Sequence, residues 1–230
     1  MDFEAWEPVY ESILADFGFG RGADRRARDV LADLVAPFDT ARVDFDGADV
    51  AIAGAAPSLE AEADAAAAAD AVVAASSAAD RLQSAGVGVD YLVTDFDGAP
   101  ERAAPLAEQG VTVVAHAHGD NVPAVERYVP ELPSGRVLPT TQAAPAGPVE
   151  NFGGFTDGDR AAFFADHFGA DRLKFVGWEF EDPNVDGMKA RKLAWAERLL
   201  YWLERRRNER FGLLDGRRAG IDTDPLPVDG

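Results

Sequence analysis

The 230-residue chain has no cysteine, only three lysines and three histidines, and two methionines. Without cysteine there is no disulfide, no thiolate nucleophile and no cysteine-bound zinc. The lysine shortage, set against 26 aspartates, 15 glutamates and 19 arginines, leaves a formal charge of −19. Such a chain lacks the clustered positive charge that holds a phosphate backbone, so no nucleic-acid partner is expected. No apolar stretch reaches the roughly 20 residues a membrane span requires. The acidic start Met1-Asp2-Phe3-Glu4 has neither the basic nor the apolar region of a secretory leader. A cytoplasmic protein without a membrane partner is the expectation. The excess of aspartate over lysine fits a cytoplasm of molar salt, where repulsion between carboxylates is screened within roughly 3 Å. Most carboxylates are then solvated surface, and an aspartate singled out for chemistry needs support from its position.

What is present is a change of pattern near residue 43. Before it, Trp6, Tyr10, Ile13, Leu14 and Phe17 fall at helical spacing, and a second helix is predicted from Asp24 to Val35. Residues 1–42 are read as a helical appendage, a cap or an oligomerisation element, with a homodimer as the expected assembly. From Asp49, short apolar runs recur at Val50–Ala53, Ala71–Ala75, Tyr91–Val93, Val111–Ala115 and Leu173–Gly177, separated by helical stretches, with a further short strand near Arg136–Leu138. Apolar runs of strand length alternating with helices indicate parallel strands covered on both faces. The fold class is α/β, a Rossmann-like doubly wound, mostly parallel sheet over 43–210. The last segment, 211–230, is rich in Gly, Pro and Asp and is expected to be a flexible tail.

In such sheets ligands bind at the carboxyl ends of strands, and the polar motifs fall there. Thr94-Asp95-Phe96-Asp97-Gly98 follows the third run. If the backbone stays extended, Asp95 and Asp97 point to one side, a placement suited to a hard divalent cation. An Asp-Gly turn is the bland alternative. His116-Ala117-His118-Gly119-Asp120-Asn121 follows the fourth run. Its side chains could ligate zinc or iron, or neutral imidazoles could hold a substrate while Asp120 meets a metal or heterocycle. Asp157, Asp159 and Arg160 open a helix after Gly153-Gly154. A capped helix start explains one of these aspartates but not both, nor the arginine, which could hold a phosphate. Gly54-Ala55-Ala56-Pro57-Ser58 leaves the first strand, with Gly54 permitting close backbone approach and Ser58 available as a helix cap facing an anion. Lys189 and Lys192 share a helix face and could neutralise phosphates, or simply be solvated.

Taken together, Ile52–Glu60, Val93–Gly98, His116–Asn121, Thr140-Thr141-Gln142 and Asn151–Arg160 resemble the archaeal 6-hydroxymethyl-7,8-dihydropterin pyrophosphokinase family, the MptE-like proteins. The likeness runs over roughly residues 45–205, and Asn151-Phe152-Gly153-Gly154-Phe155-Thr156-Asp157-Gly158-Asp159-Arg160 is its most specific part. Ala56 departs from an expected glycine and Phe96 from a common leucine. The resemblance implies a fold and reaction class like thiamine pyrophosphokinase. It also implies ATP- and Mg²⁺-dependent transfer of a diphosphate to a reduced hydroxymethylpterin, with AMP released, in folate or methanopterin biosynthesis. On that reading Asp95 and Asp97 bind Mg²⁺, and Asp120 completes the metal site or polarises the hydroxyl. Asp157 and Asp159 hold a second metal or the pterin's aminopyrimidine edge. Gly54, Ser58, Arg160, Lys189 and Lys192 steady the ATP phosphates, and His116, His118, Asn121, Thr141 and Gln142 meet the substrate. The residues alone also allow a metal-dependent nucleotide-sugar transferase built on Asp95-x-Asp97, a His-x-His metallohydrolase, or a non-catalytic nucleotide-binding regulator.

Overall fold

Successive residues of a strand point to opposite faces, and here both sets are apolar, so the sheet needs a cover on each side. The computed structural model describes residues 1–181 and 185–228. Its six strands are β1 (Asp49–Ala53), β2 (Ala71–Ala75), β3 (Tyr91–Thr94), β4 (Thr112–Ala117), β5 (Val137–Thr141) and β6 (Arg172–Val176), all parallel in the order β5-β4-β3-β2-β1-β6. Val50, Ile52, Val73, Val93, Val114 and Leu138 face one buried cluster. Their neighbours Ala51, Ala53, Val72, Ala74, Leu92, Val113 and Ala115 face the other.

Handedness assigns the helices. A parallel crossover is right-handed, so four connections stepping the same way, β1 to β5, lay their helices on one face. These are α3 (Ala63–Ala67), α4 (Ala78–Ser84), α5 (Ala103–Glu108) and α6 (Val122–Tyr128). The return from β5 to β6 runs the other way and places α7 (Asp157–His167) on the opposite face, where α8 (Gly187–Arg207) joins it. The order reverses between β1 and β6, which makes that junction the topological switch point.

The first 42 residues, read above as a cap, contribute to both layers. Trp6, Val9, Tyr10, Ile13 and Leu14 of α1 (Phe3–Phe17) lie in the cluster with α7 and α8. Ala27 and Leu31 of α2 (Arg21–Leu34) lie in the other. Residues 211–228 lie against α8: Leu214 and Leu226 are buried, and Arg218 pairs with Glu204 at 2.6 Å. The last two residues of the segment expected to be flexible lie outside the described residues. Pro139 sits inside β5, which is an edge strand where a missing N–H is tolerated. Its carbonyl accepts outward from Glu150 N at 2.9 Å. Among the described residues no helix is long and apolar enough to cross a membrane.

Candidate active site

A cleft of about 500 Å³ opens at the carboxyl end of the sheet. The loops after all six strands line it, through Gly54, Ser76, Asp95, His118, Gln142 and Trp178 among others. The turn joining α1 to α2 supplies one wall through Phe19 and Gly20, the first turn of α2 adds Asp24, and α8 supplies Lys189 and Lys192.

At the switch point the first and last loops touch backbone to backbone. Gly54 N donates to Val176 O and Ala56 N to Gly177 O, both at 2.9 Å. A Cβ on Gly54 would stand 2.5 Å from the Gly177 carbonyl oxygen, so no larger residue fits. Trp178 covers this crossing and donates from Nε1 to Ile52 O at 2.9 Å.

The Asp95-x-Asp97 motif reaches the cleft by a route other than the extended strand. Phe96 has φ +65°, a left-handed conformation costing roughly 1–2 kcal/mol for a non-glycine residue. Its ring is buried and stacks on Tyr128 at 6.1 Å between centroids, which holds the turn. Asp97 N then donates to Asp95 Oδ1 at 3.1 Å. Both carboxylates line the cleft because the chain turns there.

Asp95 is the centre of a charged group. Its Oδ2 lies 3.3 Å from His118 Nε2 and 3.7 Å from Arg160 Nη1, and Arg160 Nη1 donates to Asp157 Oδ1 at 2.9 Å. Burial alone would raise the Asp95 carboxyl. The hydrogen bond from His118 and the charge of Arg160 outweigh burial and hold it well below the usual carboxylate range. Asp157 goes the other way. Burial and then the neighbouring Asp95 charge push it up to about 8, with Arg160 offsetting part of the rise. Two carboxylates around one guanidinium are thus separated in acidity by their surroundings.

Several expected site residues support the cleft from behind. His116 lies within β4, not after it, and is only 2% exposed. Its Nδ1 stands 3.0 Å from the Thr140 hydroxyl, which donates onward to Ala115 O. That places the proton on Nδ1 and leaves Nε2 as a buried acceptor with no partner among the described residues. Burial, then the charges of Arg160 and His118, keeps the ring well below its ordinary value and neutral. Asn121 ties its own loop and the end of β4 to the loop after β3: Oδ1 accepts from His118 N at 2.9 Å, and Nδ2 donates to Asp95 O at 2.9 Å and His116 O at 2.7 Å. Thr141 is buried, and its hydroxyl accepts from Ala143 N at 3.2 Å.

Asp159 does not face the cleft. It is fully buried in a capping box at the start of α7, accepting from Thr156 N and the Thr156 hydroxyl. Burial raises its carboxyl, with the Thr156 hydroxyl and the local N–H groups offsetting. Ser58 makes no cap hydrogen bond, its backbone being helical (φ −73°, ψ −11°) where a capping residue is extended, and the residue lies off the cleft lining. Asp120, Lys189 and Lys192 do line the cleft, as do Gln142 and Arg160.

Sequence reasoning missed Ser76 and Ser77, Trp178, Phe19 and Asp24. The serines follow the apolar run of β2 and Trp178 follows that of β6, so strand-end position would have found them. Phe19 and Asp24 carry no such signal. The Asp24 carboxylate is 4% exposed and accepts from Tyr10 Oη at 2.7 Å, Gly119 N at 2.7 Å and Gln142 Nε2 at 2.9 Å.

The arrangement can bind a polyanion next to a pair of metal-suited carboxylates. Among the described residues six acidic side chains and three cations line the cleft, so a polyphosphate entering it needs added positive charge. The donors suit Mg²⁺, which takes one or two carboxylates and completes its shell with water and phosphate oxygens. Among the described residues there is no group of three or more acidic or histidine side chains set to hold a metal by themselves. Asp157, expected to hold a second metal or the pterin's aminopyrimidine edge, has its Oδ1 taken by Arg160.

The profile of the family described as 6-hydroxymethylpterin diphosphokinase MptE-like matches residues 28–185. The chain is 38% identical to the 6-hydroxymethyl-7,8-dihydropterin pyrophosphokinase of Methanothermobacter thermautotrophicus, over 89% of this chain and 96% of that protein. Proteins of the same name from Pyrococcus furiosus and Methanocaldococcus jannaschii are 35% and 31% identical, over 89% of this chain and 95% and 96% of their own lengths.

Proposed function

The chain belongs to the MptE-like 6-hydroxymethylpterin diphosphokinase family, and from that membership and the cleft we infer that it transfers a diphosphate from ATP to 6-hydroxymethyl-7,8-dihydropterin. The observation that carries the reading is the convergence of Asp95, Asp97, Asp120, Asp157, Arg160, Lys189 and Lys192 on one cleft. In the reaction the hydroxymethyl oxygen attacks the β-phosphorus of ATP. A new O–Pβ bond forms, the bond from Pβ to the α,β-bridging oxygen breaks, and AMP leaves with that electron pair. Such transfers depend chiefly on positioning and charge neutralisation.

Arg160 sits where it can hold a phosphate oxygen while Asp157 and Gln142 fix its orientation. Lys189 and Lys192 add positive charge at the cleft's outer wall. Asp95 stays ionised at neutral pH, and together with Asp97 it would hold Mg²⁺. When bound, that ion neutralises charge on the phosphates. Asp120 is exposed in the cleft, and on this reading it would take the hydroxyl proton. The six-loop floor and Phe19 leave room for a flat heterocycle beside the phosphates.

The test is stoichiometry. Purified protein in molar KCl with Mg²⁺, ATP and the reduced hydroxymethylpterin should form one AMP per pterin consumed. Pterin-dependent ADP would indicate a monophosphate transfer, and nucleotide turnover only with a nucleotide sugar would favour the transferase reading.

A further inference from the structure

Asp24 stands outside every motif that suggested the site, four residues before the stretch matched by the family profile. It is a nearly buried carboxylate, and its three hydrogen-bond donors, Tyr10 Oη, Gly119 N and Gln142 Nε2, are all neutral. Burying a carboxylate without a cation is costly. If the contact served only to anchor α2, an amide or hydroxyl would do so at lower cost. What a carboxylate offers here is two oxygens that accept only.

That property fixes Gln142. The side-chain amide of a glutamine can face either way, and the two faces are opposite in kind. With Nε2 held by Asp24, Oε1 must point the other way, and it lies 3.4 Å from Arg160 Nη2. Arg160 in turn holds Asp157 and stands beside Asp95. The backbone of Gln142 is pinned as well, since its carbonyl accepts from Trp6 Nε1 at 2.9 Å. The other oxygen of Asp24 fixes the loop that carries His118 and Asp120 through Gly119 N. A Cβ on Gly119 would stand 2.6 Å from the Ala23 Cβ, so α2 and this loop are already in contact.

We propose that Asp24 is a positioning residue for the diphosphate transfer: it locks the Gln142 amide so that its oxygen aims the Arg160 guanidinium at the phosphates. The first two helices thereby form part of the reaction centre. The proposal rests on the diphosphokinase reading of the cleft.

Exchanging the two groups tests it. In Asp24→Asn, one oxygen becomes a donor. Placed toward Gly119 it meets a backbone N–H that cannot turn away. Placed toward Gln142 it forces that amide to flip and present its NH₂ to Arg160. In Gln142→Glu, two carboxylates face each other. When Asp24→Asn and Gln142→Glu are combined, the amide on α2 donates to the carboxylate after β5, whose second oxygen accepts from Arg160, and the Tyr10 hydroxyl, which shares that Asp24 oxygen, turns to accept the amide's other hydrogen. Pterin-dependent AMP formation should fall roughly 10- to 100-fold in each single variant, mainly in kcat, and recover most of that loss in the double. Far-UV circular dichroism shows whether all four proteins are folded, and the ¹⁵N resonance of the Arg160 guanidinium gives a readout independent of turnover. It should move in both single variants and return in the double. Singles within twofold of wild type, or a double no better than the worse single, overturn the proposal. If wild type makes no pterin-dependent AMP, the diphosphokinase reading fails by itself. The Arg160 resonance then decides, and its staying in place in both singles overturns the positioning role.

Discussion

Arg160 donates from Nη1 to Asp157 Oδ1 at 2.9 Å, inside a side-chain environment that is 6% exposed for the arginine and 12% for the aspartate. The same nitrogen stands 3.7 Å from Asp95, so one positive charge serves two carboxylates. The consequence is an acidity difference. Asp95 is kept ionised, while Asp157 rises from an ordinary value near 3.8 to about 8.

That rise sets the pH dependence of the metal-free fold. For a carboxyl raised in the folded state, the stability contributed by its protonation is complete below about pH 3.8 and is lost as pH climbs through about 8. Asp157→Asn removes the ionisation and keeps an acceptor for Arg160. In EDTA the variant's Tm should gain on that of wild type steadily from about pH 4 to about pH 8, and the gain at pH 8.5 should be about 2 °C or more, which is ~1 kcal/mol at this size. It should also lose most AMP formation. A variant less stable than wild type at pH 8.5 contradicts the assignment of charge.

His116 gives the opposite slope. Its folded value is depressed by burial, so as pH falls below about 6.5 the unfolded chain takes up the proton first and the fold loses stability. Between pH 7.5 and 5.5, Tm should drop less in His116→Gln than in wild type, by about 3 °C, corresponding to roughly 1 kcal/mol. His167 is depressed too and remains in both proteins, so only the difference between the two curves is diagnostic. Parallel curves would show that His116 is not held neutral.

Much of the frame was legible in the sequence because parallel strands buried on both faces must be apolar along most of their length, as Val50–Ala53, Ala71–Ala75 and Val113–Ala115 are. The strand ends then located Asp95, His118 and Asp120 without any further information. Three details were not legible. The Asp95–Asp97 geometry depends on a left-handed Phe96, set by where its ring is buried. Asp159 reads as a functional aspartate, yet its spacing from Thr156 is that of a capping box. Asp24 meets Gly119 across 95 positions and Gln142 across 118. Nothing local in α2 reports contacts that distant.

Lys189 is exposed and Lys192 half-buried on the cleft side of α8. Each should contribute modestly to binding a triphosphate, and the contribution should weaken as salt screens it. Lys189→Ala and Lys192→Ala are expected to raise KM for MgATP by roughly 2- to 5-fold in 0.1 M KCl and by less in 2 M KCl. Titrating KM against KCl checks this. An effect that grows with salt would rule out a simple charge role.

Gly177 has φ +67°, and a Cβ there would stand 2.5 Å from the Gly54 carbonyl oxygen and 2.8 Å from Leu59. Neither backbone can withdraw without opening the junction between β1 and β6. Gly177→Ala should therefore lower Tm by several degrees, on the order of 3 kcal/mol from strain and overpacking combined. Gly216→Ala serves as the comparison, since its φ is also positive but nothing lies within 4 Å of its added methyl. Equal losses in the two would place the cost in backbone conformation alone.

Attack of the hydroxyl oxygen on the β-phosphorus is tested directly by ATP labelled with ³²P at the β position. With wild-type protein, Mg²⁺ and the reduced hydroxymethylpterin, the label should appear in the pterin product while the AMP formed carries none. Asp95→Asn should abolish that transfer. Label recovered in ADP, or in free phosphate or pyrophosphate with the pterin unchanged, would rule out attack of the pterin hydroxyl at the β-phosphorus.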